Sequence, residues 1–511
     1  MSQAPLKAPR EVRRSAPPPL PADERPAARP AAAKASEPRP LRIASPLRVL
    51  DGFGRAVHAA CRHAAPATMD ELVALLERAR GEGMHVTFRG AGRSYGDASL
   101  GARGLVIDPT RLDHVHTWDP RAGVIDAEPG LTIEGLWRRT LEDGYWPAVV
   151  PGTMRPTLGG CLSANVHGKN NFRVGPIGEH VVELELVTPR GERLVCSPTA
   201  NADVFHAAIG GFGLLGAITR VKLRLKHVGG GQVRVLPLVA PSLGGCFDLF
   251  EEHLPTADYL VGWIDCVSSG AALGRGVLHH ATHLHADEDP TYPESLHAER
   301  QSLPGKIMGL PRSALWRLMR PWMNDLGVRF VNAAKYHASR WHHGKPFLQS
   351  HVGFAFLLDY VPNWRLSYGP TGFIQYQIFV PTQTAREVMR DVIQATHKAG
   401  IPAYLGVLKR HRPDAFLLSH ALDGWSLALD FRVPPGRREA LWRMTEQLTE
   451  RVLDGGGRFY FAKDAVLRPT DVERAFGKER LDAFFALKQR LDPDGLLESD
   501  LARRVFGERM R

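Results

Sequence analysis

The chain has 511 residues, 44% of them hydrophobic and 23% charged, which fits a globular protein too long for one ordinary domain, so two or three are expected. No run of about 18 apolar residues occurs, so no helix is expected to span a membrane, and the N-terminus lacks a signal-type apolar core. The net charge is +11, and residues 1–45 hold nine Lys/Arg against four acids. Such a surplus suits nucleic acid or an anionic membrane surface. No nucleic-acid motif accompanies it, which leaves peripheral contact at the inner face of a membrane, or no partner. The five cysteines (61, 161, 196, 246, 266) show neither CxxC nor metal-ligand spacing. They read as reduced thiols of a cytoplasmic protein without a metal site.

Residues 1–45 are Pro/Ala-rich with few large apolar side chains, and are expected to be a disordered basic tail. Folded structure is expected from near Val49. Thr68 or Asp70 caps a helix that places Leu72, Leu75, Leu76 and Ala79 on one face, and Gly81 and Gly83 stop it. A strand over 86–89 runs into RGAGRSYGD, Arg89 to Asp97. Short strands follow over 104–108 and 123–128. Thr132 opens a helix through Leu136 and Leu141, ended by Gly144.

The stretch PGTMRPTLGGCLSANVHGKNN, residues 151–171, carries Gly152, Gly159, Gly160 and Gly168 among small residues. Glycine lets backbone approach a flat or phosphorylated ligand closely; a plain surface loop is the other reading. HVVELELVT (180–188) and 192–196 read as a hairpin, and Asp203 starts a short helix. Gly211, Gly213 and Gly216 then spell GxGxxG. That fingerprint belongs after a strand and before a helix. Here it follows a helix and opens a strand over 217–225, so a nicotinamide site is rejected.

Gly229-Gly230-Gly231 marks a domain boundary. Strand-like runs at 233–239, 259–267, 372–380, 404–408 and 426–431, with helices at 384–398 and 436–453, read as an antiparallel sheet covered by helices. A last strand, 458–461, leads into YFAKD, and a helix at about 478–490 precedes LDPDGLLESD. The segment Lys306 to Trp322 mixes Ile, Met, Leu and Trp with Lys306, Arg312, Arg317 and Arg320. It reads either as an amphipathic helix packed on its own domain or as an interfacial lid.

The three Gly-rich blocks, in this order, resemble the FAD-binding domain of vanillyl-alcohol-oxidase-type flavoproteins. HGKN (His167 to Asn170), FIQYQIFVPT (Phe373 to Thr382), YFAKD and LDPDGLLESDLARR (Leu491 to Arg504) narrow the resemblance to the decaprenylphosphoryl-β-D-ribose 2-oxidase family. It implies an α+β, two-domain FAD-binding (PCMH-type) fold with an antiparallel-sheet substrate domain. The parts are a tail (1–45), an FAD-binding domain (46–228), a substrate domain (229–455) and a C-terminal segment returning to the FAD domain (456–511). FAD is expected to be noncovalent, since relatives that attach it use a histidine at the position of Arg93 and a cysteine at about Arg155.

The resemblance assigns cofactor contacts to Arg89, Gly90, Ala91, Gly92, Arg93, Ser94, Tyr95 and Gly96, the first block forming an anion nest. It adds Gly152, Thr157, Gly159, Gly160, Ala164, Asn165 and His167, then Ile218 on the adenine side and Tyr460. Lys463 and His167 take the catalytic positions. Gln375 and Gln377 share one side of a strand, and with Lys409 and Tyr360 are expected to contact substrate. Ala428 and Ser426 stand where mycobacterial members carry cysteine and asparagine, which bears on the substrate more than on the chemistry. The implied activity is oxidation of a secondary sugar alcohol, at C2 of a polyprenyl-phosphoryl pentose, with a short-chain reductase partner completing an epimerisation. A soluble aldonolactone or alditol oxidase of the same fold, and an inactive flavin-bound partner subunit, are the alternatives.

Overall fold

The computed structural model describes residues 47–307 and 309–510; the expected disordered tail lies outside them. Structure begins with the strand Arg48–Asp51. The first helix, Met69–Gly81, starts where Thr68 Oγ1 accepts from Glu71 N at 3.2 Å, and it buries the expected Leu72, Leu75, Leu76 and Ala79. Its sheet has the order Arg48–Asp51, His58–Ala64, Leu105–Ile107, Val86–Phe88, the last three running parallel.

A second sheet is antiparallel, with the order Val115–Asp119, Val124–Ala127, Ala217–Arg224, Val181–Val187, Arg193–Cys196. Ala217–Arg224 alternates buried and open positions, as a strand with one packed face must. Helix Ala202–Ala208 precedes the GxGxxG turn and this strand follows it, the context that argues against a dinucleotide fingerprint. The central Gly-rich stretch is not all loop. Thr157 caps a short helix, Leu158–Ser163, a start signal hidden among its glycines.

The third sheet has eight strands, in the order Phe347–Ser350, Gln232–Ala240, Gly276–His283, Tyr259–Ile264, Leu405–His411, Gly424–Arg432, Phe373–Pro381, Arg458–Phe459. Helices Leu243–His253, Ala385–Lys398 and Arg438–Asp454 bury apolar side chains such as Phe247, Met389 and Leu448 in the core shared with this sheet. Phe373–Pro381 and Gly424–Arg432 are buried almost end to end. Each nevertheless carries buried polar groups: Gln375 and Gln377 on one, Ser426 and Asp430 on the other. Polar groups buried inside central strands need partners, and mark a face built for something other than packing.

Several elements depart from the sequence expectation. Gly276–His283 is a central strand whose three histidines conceal its period. Helix Asp325–Arg340 buries Val328, Asn332 and Tyr336 yet leaves Leu326, Phe330 and Val331 exposed, so its apolar pattern has no single face. Lys306 to Trp322 is not one amphipathic helix. It forms a two-residue-per-strand hairpin, a 3₁₀ turn, a five-residue helix Leu315–Met319 and a second 3₁₀ turn at Pro321. The expected strand over 458–461 ends at Phe459, where YFAKD turns back through Lys463 N to Tyr460 O at 2.9 Å.

The C-terminal segment packs against the first sheet. Val86 N donates to Leu496 O at 2.8 Å and Glu498 N to Val86 O at 2.9 Å. Arg504 then grips Asp97 of the first Gly-rich block through two hydrogen bonds of 2.8 Å, and reaches Asp464 of YFAKD at 2.9 Å. Removing one partner of a buried ion cluster strands the others. Arg504→Met should therefore lower stability by ~3–5 kcal/mol in urea unfolding and weaken FAD retention; wild-type stability would show the cluster to be dispensable.

Candidate active site

Between the Gly-rich blocks and the large sheet lies a cavity of ≈ 640 Å³. Gly90, Ala91, Gly92, Arg93, Ser94 and Tyr95 form one wall. Gly92 takes φ +62°, a left-handed position that suits glycine. Gly152, Thr157, Gly159, Gly160, Ala164 and His167 form a second wall, and Ile218 lies at the edge by the GxGxxG turn. The sheet contributes Gln375, Gln377 and Lys409, and the YFAKD turn adds Tyr460 and Lys463.

Four expected residues stand elsewhere. Arg89 turns away, donating to Ser99 Oγ at 3.0 Å and Asp51 O at 2.8 Å. Gly96 is required by packing: a Cβ there would fall 1.7 Å from Asp464 O. Asn165 is buried at φ +42°, its Oδ1 accepting from Gly178 N at 3.1 Å. Tyr360 takes a hydrogen bond from Gln349 at 3.1 Å, while Leu357, Leu358 and Asp359 before it line the cavity.

His167 is held from two directions. Gln377 Nε2 donates to its Nε2 at 3.0 Å, which leaves the ring proton on Nδ1, and Nδ1 has no partner. Burial, with the charge of Lys409, holds its pKa well below 6.5, so the imidazole is neutral. His411 and His420 pack against it at 4.9 and 5.1 Å between ring centres. Lys463 Nζ stands 3.6 Å from the centre of the Tyr95 ring. Burial pushes it down to about 7, against the opposing pull of Asp430. Asp430 lies beneath, taking a hydrogen bond from Gln375 at 2.5 Å, and burial raises it to about 7. Lys409 and Lys169 are likewise lowered by burial, to about 8 and about 7.

Asp430, His411, His420, Lys169, Lys335 and His279 were not read as site residues from the sequence. For Asp430 a signal existed: in GWSLALDF it falls on the same side of the strand as Ala428. Lys169 sits inside HGKN beside His167.

Arg93 Nε, His167 Nδ1 and Tyr460 Oη are buried polar atoms without partners, all on residues lining the cavity. Together with the glycine walls they fit a flat, phosphorylated, hydrogen-bonding cofactor such as FAD. The family model described as an FAD binding domain matches residues 62–197. Decaprenylphosphoryl-beta-D-ribose oxidase of Mycolicibacterium smegmatis is 30% identical over 469 residues, covering 89% of this chain and 97% of that protein. The chain belongs to the decaprenylphosphoryl-β-D-ribose oxidase family. An uncharacterized protein in the mprA 5' region of Streptomyces coelicolor is 28% identical over 389 residues, 73% of this chain and 100% of its own length. Cytokinin dehydrogenase 9 of Oryza sativa subsp. japonica is 36% identical over 185 residues, 35% of each chain. The protein is an FAD-dependent oxidoreductase with the α+β fold of its family, an FAD-binding domain joined to an antiparallel-sheet domain.

A lysine lowered from 10.5 to about 7 in the fold binds fewer protons than in the unfolded chain across that window. Its contribution to stability therefore rises with pH from about 7 to about 10. Lys463→Met should flatten part of this rise and increase the melting temperature at pH 7. An unchanged profile in thermal scans from pH 6 to 10 would show that Lys463 carries no burial penalty.

Proposed function

We propose that the protein oxidises a secondary alcohol of a lipid-linked sugar. The best-supported substrate is a polyprenyl-phosphoryl pentose, oxidised at C2 to a keto sugar, with a short-chain reductase partner completing the epimerisation. The carrying observation is the convergence of Lys463, His167 and Gln377 on one cavity, among glycine-rich walls that suit a flavin. FAD, when bound, supplies the acceptor for the carbinol hydride. Lys463, poised near neutrality, takes the hydroxyl proton at Nζ and as an ammonium offsets nearby negative charge. Neutral His167 presents Nδ1–H as a fixed donor. Gln377 sets that tautomer.

A neutral-polyol oxidase would leave the cationic sheet face with no charge to meet, which favours the phosphorylated substrate. An inactive subunit is disfavoured by the presence of both Lys463 and His167 at the cavity. FAD is read as noncovalent: Arg93 and Arg155 occupy the attachment positions, and burial pushes the thiol of Cys161, the one cysteine of the cavity wall, up to about 12.

Anaerobic flavin bleaching by lipid-linked and free sugars tests the activity. Lys463→Ala should keep FAD and lose bleaching by on the order of a hundredfold or more. Lys463→Arg should not restore it, because a guanidinium does not deprotonate. Bleaching at the wild-type rate in Lys463→Ala would remove this reading. In the same preparations, acid should release the flavin into the supernatant.

The lipid link is supported by the surface beside the cavity mouth. Residues 306–348 carry eight Lys/Arg and one acid, Asp325. Leu318, Trp322, Leu326, Phe330 and Trp341 are exposed among them, Leu326 by 80% and Trp341 by 79%. Apolar anchors ringed by cations suit an anionic lipid surface at the cytoplasmic face. No described helix is long and apolar enough to cross a membrane. The protein should co-sediment with vesicles containing phosphatidylglycerol, less so at high salt. Replacing Trp322, Phe330 and Trp341 by Ser should reduce binding without loss of FAD; undiminished binding would place the contact elsewhere.

A further inference from the structure

The large sheet spreads its cavity-facing basic groups across several strands. Lys463 follows the edge strand Arg458–Phe459, next to Phe373–Pro381 with Gln377. Two strands further in lies Leu405–His411 with Lys409, and two beyond that lies Gly276–His283 with His279. At ~4.8 Å between neighbouring strands, His279 is ~19 Å across the sheet from Gln377, with Lys409 midway. Leu408 pairs with Gly262 and Val261 with His279, so Lys409, Val261 and His279 form one row across the cavity face.

Two more cations converge on the far end of this row. Lys169 reaches in from the HGKN turn, its Nζ bonded to Phe354 O and 4.2 Å from the centre of that ring. Lys335 comes from helix Asp325–Arg340, its Nζ 4.1 Å from the centre of the Trp263 ring. Both line the cavity with His279, Lys169 O accepting from Leu260 N at 3.0 Å next to the Val261–His279 pair; burial, and to a lesser degree these two lysines, lower the His279 pKa to about 4. His279 is therefore a neutral hydrogen-bonding group near both lysines. No described carboxylate forms an ion pair with Lys169, Lys335 or Lys409, whereas Lys463 has Asp430 beside it. Asp359, the one carboxylate of the cavity wall, is engaged by Thr153 Oγ1 and Met154 N at 2.8 Å each. The end of the row at Lys169, His279 and Lys335 thus gathers basic groups with no described carboxylate beside them, a setting that suits an anionic ligand.

We propose that Lys169, His279 and Lys335 form a phosphoryl-binding subsite that takes the phosphodiester of the lipid-linked substrate. The inference rests on the proposed oxidation and assigns the substrate's direction in the cavity. The sugar lies toward Lys463 and His167, Lys409 stands between the two ends, and the lipid leaves over Trp263, Leu357 and Leu358 toward the exposed apolar rim. A compact ammonium suits a tetrahedral phosphoryl group as a point charge.

Farnesyl phosphate, with farnesol as the uncharged control, is the probe, titrated into the FAD-loaded protein by calorimetry. Farnesyl phosphate should bind, more weakly as salt rises. Lys169→Gln and Lys335→Gln should each weaken it about tenfold or more, with farnesol affinity and FAD content unchanged. Lys335 sits at the mouth, so its variant remains informative if Lys169→Gln fails to fold. Wild-type affinity in Lys335→Gln, or a larger loss in Lys463→Gln than in either variant, would overturn the subsite. The oxidation fails separately. Farnesyl phosphate binding with the expected variant pattern, but no bleaching by any lipid-linked sugar, would remove the oxidation and leave the subsite. Bleaching whose KM the two lysine variants do not change would remove the subsite and leave the oxidation.

Discussion

Arg504 holds Asp97 and Asp464 at once, and the position of Lys463 follows from that grip. Asp97 closes the first Gly-rich block, Asp464 follows Lys463, and Arg504 comes from the last helix, Asp500–Phe506. The clamp draws the two turns so close that Gly96 sits on Asp464 O, where no side chain fits. Tyr95 N donates to Ala462 O at 2.8 Å across the same seam. Tyr95 and Lys463 are thereby set face to face, and one wall of the cavity is joined to the turn that carries its lysine. A planar guanidinium suits this place because it can address two carboxylates in fixed directions.

The electrostatic design runs against stability. Lys463, Lys409 and Lys169 are buried enough for their ammonium forms to be disfavoured, and Asp430 enough for its carboxylate to be disfavoured. Natural cores avoid such groups unless they are paired. Here they are left partly unpaired around a cavity, which is the condition for tuned proton transfer and for anion binding. Hydrogen bonds from Gln375 and Tyr368 orient Asp430 without neutralising it. Neutral His167, His411 and His420 fill the space beside Lys409 without adding charge.

Glycine, helix-cap and strand-period signals made much of this legible in the sequence. Thr68 and Thr132 cap where expected, and GxGxxG was separable from a dinucleotide site because its neighbours are helix then strand. The walls of the cavity were legible because they are local motifs. What was not legible depends on contacts distant in sequence. Arg89 looks like a phosphate ligand beside its glycines, yet Ser99 and Asp51 O claim it. Gly96 looks like part of a nest, yet Asp464 explains it. His279, on a strand masked by histidines, joins the cavity only through the sheet order, and Lys335 only through the packing of its helix over Trp263.

The two departures from the mycobacterial pattern differ in weight once placed on the sheet. Ala428 lines the cavity, paired with Gln377 on one side and Val407 on the other. A side chain as small as alanine leaves open space beside the amide that orients His167. Ser426 is fully buried and bonds His411 Nε2 at 2.7 Å. His411 in turn edges against His167 at 4.9 Å. The serine therefore reaches the cavity only through a histidine that packs on His167. The difference at 428 bears on the shape of the cavity, and the one at 426 on how firmly His167 is held. Both leave Lys463, Gln377 and the glycine walls as the family motifs place them, so the variation falls on the shape and packing of the cavity wall and not on Lys463 or His167.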